Sequence, residues 1–150
     1  MRRFAGLPIA FRVGLGVCIA GALGMALERV PLAQEKTPRD GVYSPSQAAR
    51  GKAQYAASCA SCHMDDLSGT LSGDTGAPPL RGEPFVAFVE GWDARRLFDY
   101  IKTTMPADEP ASLRDDTYLD ILTFLFQANG YPAGSEPLGL SQLGAIRLAR

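Results

Sequence analysis

Five consecutive residues, Cys59, Ala60, Ser61, Cys62 and His63, constrain this chain more than any other part of its sequence. They contain two of its three cysteines and its only histidine. A Cys-x-x-Cys-His spacing permits a zinc site, a dithiol redox site or a covalently attached haem. A structural zinc takes four nitrogen or sulfur ligands. Without Cys18, which lies far upstream, the chain offers Cys59, Cys62, His63 and no further residue of those types. Asp65 or Asp66 could add an oxygen, but a histidine directly after a cysteine strains a tetrahedral site. A thioredoxin-like dithiol sits in a βαβ unit, and no such pattern is present. The blandest reading is two buried thiols, or a structural disulfide, beside a surface histidine. Haem attachment uses all three residues locally. Cys59 and Cys62 would tether the two vinyl groups, and His63 would lie beneath the iron as its proximal ligand.

The fate of Cys18 depends on the first residues. Arg2, Arg3 and Arg12 precede an uncharged run from Val13 to Leu27. The run is short of the ~20 apolar residues that a spanning helix needs. Residues 1–34 therefore read as an export signal, with a cleavage zone near "VPLAQ" (Val30 to Gln34) and a retained anchor as the alternative. The "LGVC" around Cys18 is a poor lipoprotein signal. Export places the chain in an oxidising compartment, where a Cys-x-x-Cys left unpaired has a dedicated use. Of 15 basic and 16 acidic residues, the segment removes four basic and one acidic, leaving 11 and 15. That acidic balance argues against nucleic acid as a partner.

Downstream, the pattern is helical. Ser44 can cap a helix over "PSQAARGKAQYAAS", with Pro45 at its first position and Ala48, Gly51 and Tyr55 on one face. Asp65 to Gly82 is rich in turn formers, with "APPL" (Ala77 to Leu80) as a stiff piece near its end. A short helix is expected at Phe85 to Val89, and another over "ARRLFDYIK" capped by Asp93. The strongest comes after Asp115 and Asp116. It carries Tyr118, Ile121, Leu122 and Leu125 at i, i+3, i+4 and i+7, and stops at Asn129-Gly130. Glu35 to Tyr43 reads as a polar lead-in, and the tail from Pro132 as turn-rich with a short helix at Ser141 to Leu148. The expectation is an all-α domain over 35–131 with a tail at 132–150. Its long loops need something functional to organise them, and a large buried cofactor would do so.

The sixth iron position then comes down to elimination. A second histidine does not exist, and methionine is the usual alternative, raising the reduction potential. Of four methionines, Met1 and Met25 fall in the signal. Met64 comes directly after His63 and is held on its side of the haem. Met105, in a loop closed by Pro106, remains. A flexible core filler is the ordinary fate of methionine, and the Met-Pro loop weighs against it here.

The chain resembles the class I c-type cytochromes. "GKAQYAASCASCH" matches their Gly-x-x-x-aromatic-x-x-x-Cys-x-x-Cys-His segment, "APPL" their Pro-x-Leu segment, "TMP" their methionine loop and "ILTFL" their C-terminal helix. The resemblance implies that Gly51 and Tyr55 pack against Ile121 and Phe124 where the first and last helices cross. It implies that the Pro78 carbonyl accepts from Nδ1 of His63, and that Leu80 walls the haem. With "FVEGW" and "NGYPAG" the layout is also similar to small cytochromes associated with quinoprotein (PQQ-dependent) alcohol dehydrogenases.

The chain is therefore expected to be a periplasmic electron carrier with one haem c, ligated by His63 and Met105, and not an enzyme in its own right. Its partners would be redox proteins, a dehydrogenase as donor and an oxidase or another cytochrome as acceptor, with a membrane only if the N-terminal segment is retained. The alternatives are a fixed cytochrome subunit of a dehydrogenase complex, and a gas or redox sensor in which Met105 is off the iron. Trp92 suits a haem contact or an ordinary core; Arg81 suits a propionate or plain solvation. Arg95 and Arg96 are expected on a solvent face. Lysine is confined to Lys36, Lys52 and Lys102 after residue 34, so docking should rest less on a positive patch than on apolar contact.

Overall fold

The structure is a computed structural model that describes residues 35–71 and 76–148. The expected export segment, with Cys18, lies outside the described residues. The described chain is all-α. Among the described residues the only β-type pairing is two isolated bridges, Lys36 with Ile146 and Asp93 with Arg147.

Helix α1 spans Pro45–Ser58 and starts as its sequence requires. Ser44 stays extended and its hydroxyl accepts from the Gln47 N–H at 3.3 Å, while Pro45 takes the first position. A single turn, α2 (Ala60–His63), comes immediately after it. Helix α3 spans Gly82–Val89 and so begins before Phe85. Helix α4 spans Ala94–Thr104, capped by Asp93 Oδ1 accepting from the Arg96 N–H at 2.8 Å. Helix α5 spans Asp115–Ala128, with Asp115 and Asp116 at its positive end. It is buried continuously from Tyr118 to Leu119 and from Ile121 to Phe126, so it forms the centre of the core.

The main helix packing is α1 against α5. Gly51 makes it possible. A Cβ at that position would lie 1.8 Å from the Asp120 carbonyl oxygen and 3.0 Å from the Ile121 nitrogen. One turn on, Tyr55 meets Phe124 with ring centroids 5.2 Å apart. Arg50 closes the outer side of the crossing with a two-pronged pair to Asp120, at 2.8 and 3.1 Å.

The lead-in and the tail are more structured than expected. Thr37 and Asp40 cap a 3-10 turn at Pro38–Asp40, and Pro38 and Tyr43 are buried. The tail forms a 3-10 turn at Leu140–Ala145 rather than a helix reaching Leu148. After it, Ile146 to Leu148 run extended beside Lys36 and the start of α4. The bonds are Arg147 N–H to Lys36 O (2.7 Å), Ala94 N–H to Ile146 O (2.9 Å) and Leu148 N–H to Trp92 O (2.8 Å). The backbone satisfied in this way needs no helix. Leu138, Leu143, Ile146 and Leu148 all enter the core.

Gln47 holds the tail to α1. Its amide is buried, donates to the Leu138 carbonyl at 3.0 Å and accepts from the Leu138 N–H at 2.7 Å. Gln47→Ala strands both backbone groups, so it should lower unfolding free energy by about 2 kcal/mol. A denaturant titration checks this; a loss under about 0.5 kcal/mol would mean that water replaces the amide freely.

Candidate functional site

Helix α1 delivers Cys59 at its end, and α2 carries Cys62 and His63. Tyr55, buried on α1, donates its hydroxyl to the Met64 carbonyl at 2.8 Å. Met64 has a positive φ of 63°, and the hydroxyl holds the chain there as it leaves α2. Gly69 N–H to the His63 carbonyl (3.0 Å) and the Thr70 hydroxyl to the Cys62 carbonyl (3.3 Å) fix the turn from the other side.

His63 is 6% exposed. Its Nδ1 lies 2.8 Å from the Pro78 carbonyl oxygen. A carbonyl only accepts, so Nδ1 carries a proton, and in the neutral ring the lone pair is on Nε2. Among the described residues, Nε2 takes no hydrogen bond. The segment bearing Pro78 is itself pinned, by Thr70 N–H to Ala77 O at 2.8 Å and Leu80 N–H to Leu67 O at 2.9 Å. Asn129 adds a third tie. Its amide donates to the Leu80 carbonyl at 3.0 Å and accepts from the Gly82 N–H at 2.9 Å. In the sequence Asn129 reads only as a helix stop; a side-chain amide just past a buried helix is the one sign of a second use.

Both cysteines are free thiols, Cys59 half-buried and Cys62 exposed. Burial, with Cys62 beside it, pushes the Cys59 thiol up to about 11. It therefore lacks the lowered pKa of the nucleophilic cysteine in a dithiol oxidoreductase. Among the described residues no three side chains of the His, Cys, Asp and Glu types converge as a metal-binding group.

Met105 is half-buried and ends α4, extended at φ −129° and ψ 151°. Its N–H bonds the Ile101 carbonyl at 2.8 Å, and its carbonyl accepts the Tyr118 hydroxyl at 2.8 Å. The structure thus joins His63 to Pro78 directly and ties Leu80 to the same segment. It places Met105 in a separate loop held by α5.

The remaining candidates find protein partners. Arg81 pairs with Asp66 at 3.2 Å, both side chains about half-exposed. Trp92 lies 5.0 Å from the ring of Phe88 and 5.6 Å from that of Tyr100, with the Arg96 guanidinium stacked on it at 4.2 Å. Arg95 keeps its side chain 40% exposed, as a solvent face requires, and also donates to the Leu140 carbonyl of the returning tail at 2.5 Å. Among the described residues no helix is long and apolar enough to cross a membrane.

A helical fold built around such a site is that of a class I c-type cytochrome domain. A family model described as cytochrome c oxidase, cbb3-type, subunit III matches residues 46–125, and the chain belongs to that family. A cytochrome c domain carries covalently bound haem and transfers electrons through it. No curated protein matches the chain. Among solved structures, the sulfane dehydrogenase SoxCD from Paracoccus pantotrophus is similar, at 23% identity and a TM-score of 0.48. The match covers 81% of this chain and 66% of that one, so the chain spans just under two thirds of that relative's length.

Proposed function

We propose that this chain is an exported electron-transfer cytochrome with one haem c, tethered through Cys59 and Cys62 and ligated by His63 and Met105. The observation that carries the reading is His63. It is buried, its Nδ1 is committed to the Pro78 carbonyl, its Nε2 has no hydrogen bond among the described residues, and the two cysteines of the same motif are free thiols. The donor set fits a haem, with two tethers, one imidazole and one soft thioether.

The haem, when bound, supplies the one-electron chemistry. The chain's own residues prepare for it. Pro78 fixes the tautomer of His63 and makes its Nε2 a stronger donor. Thr70, Leu67 and Asn129 hold Pro78 in place, so the imidazole orientation is set by backbone rather than by a mobile side chain. Met105 offers a polarizable sulfur that favours the ferrous state. Leu80, Ile101 and Leu113 are partly buried apolar residues packed on the core; they are walls suited to covering a flat apolar ring.

Met105→Leu tests the reading. The ferric protein should lose the weak charge-transfer band at the red end of the visible spectrum that an iron–thioether bond gives, while its haem stays attached. A band that survives the change overturns the ligand assignment.

A second reading makes the chain a fixed subunit of a dehydrogenase complex. Phe88 (50% exposed) and Tyr100 (41%) favour it, since they stack together outside the core as an apolar patch. Contact through that patch would resist salt, so co-purification with a dehydrogenase at high ionic strength supports the subunit and its absence supports the free carrier.

A further inference from the structure

We propose that Tyr118 is a positioning residue that determines how firmly Met105 is held on the iron; the proposal rests on Met105 being the axial ligand. Tyr118 is 1% exposed and belongs to α5, the element most deeply buried in the fold. Its ring packs edge-on against Phe98 of α4, centroids 6.4 Å apart. Its hydroxyl donates to the Met105 carbonyl at 2.8 Å and accepts from the Leu113 N–H at 3.4 Å. One oxygen therefore ties together both ends of the loop from 105 to 113.

With the Ile101 carbonyl on its N–H, Met105 has both backbone polar groups committed. The direction in which its side chain leaves the loop is fixed from two helices, α4 and α5. A ligand must be held to within roughly 0.5 Å of its working position by groups that are themselves locked. Tyr118 supplies such a group. Lys102 and Asp115, paired at 2.6 Å, close the same α4–α5 junction from outside. Among the described residues, nothing else bonds the Met105 carbonyl.

Removing the hydroxyl leaves the Met105 carbonyl and the Leu113 N–H unpaired. The loop then gains freedom to turn them to water, and Met105 spends more time off the iron. An added ligand that competes for the same position should bind more tightly in proportion.

The experiment titrates the ferric holoprotein with imidazole and tracks the red charge-transfer band. Tyr118→Phe should bind imidazole roughly three- to tenfold more tightly than wild type, the range set by one net hydrogen bond, with a weaker band. Tyr43→Phe is the matched control. Tyr43 is also 1% exposed, and its hydroxyl also donates to a buried-segment carbonyl, that of Tyr131 at 2.6 Å, but it lies outside the Met105 loop. It should bind imidazole as wild type does. Tyr118→4-aminophenylalanine, which keeps a donor, should restore both readouts. If Tyr118→Phe does not fold, 4-fluorophenylalanine at the same position takes its place in the titration. Equal imidazole affinities for the Tyr118 and Tyr43 variants overturn the proposal. A wild-type band unchanged by Met105→Leu removes the ligand assignment itself, which separates the two failures.

Discussion

Alanine at both Cys59 and Cys62 should leave a chain that surrenders its haem to acidified acetone, whereas wild type keeps nearly all of it in the protein. The expected loss is large because, among the described residues, Cys59 and Cys62 are the thiols available to tether a haem. On the proposed ligation, only His63, Met105 and apolar contact would then be left to hold the haem. The same variant should also be poorly ordered. Leu80, Ile101 and Leu113 sit partly buried at the edge of the core, and further burial is worth about 25 cal/mol per Å² covered. Amide exchange should therefore be faster over residues 65–71 and 105–113 than in α5. A variant that keeps its haem through extraction would end the tether assignment. A haem-free variant with native exchange rates would show that the protein alone builds the core.

Gly51→Ala should lower stability by about 3 kcal/mol or more, beyond most single substitutions. The atoms that would meet the new methyl group are backbone, 1.8 and 2.4 Å away, and cannot swing aside as a side chain end would. The helices must move apart, which also loosens the Tyr55 and Phe124 contact and the Arg50 to Asp120 pair. For a domain of this size the melting temperature should fall by about 10 °C. Gly144→Ala is the control, since nothing lies within 4 Å of a Cβ there, and it should melt with wild type. Similar melting of the two variants would show that the crossing is not the close backbone contact described.

Much of this architecture is legible in the sequence because its signals are local. Ser44 and Asp93 cap the helices that their side chains predict, and the spacing of Tyr118, Ile121, Leu122 and Leu125 picks out the central helix. Gly51 is legible for a different reason: its motif ties a small residue to a fixed distance from Cys59. The hidden parts depend on long-range partners. Leu138, Leu143, Ile146 and Leu148 lie in a turn-rich tail whose sequence suggests only a short helix, so nothing marks them as core until Lys36, Trp92 and Gln47 are seen to receive them. The bond from Arg95 to the Leu140 carbonyl is a consequence of that tail. Asn129 and Tyr118 look like a helix stop and a core residue, and both are those things as well. Their second roles reside in single hydroxyl or amide atoms that a hydrophobic pattern cannot register.

The extended run from Ile146 to Leu148 settles a matter of geometry. Arg147 reaches both Glu35 (3.1 Å) and Asp93 (3.7 Å), so the two ends of the described chain are fastened side by side at the head of α4. The two ends of the described domain leave it at one place. A leash tied before Glu35 and one tied after Leu148 would leave from the same spot, and either would let the body swing through the same arc.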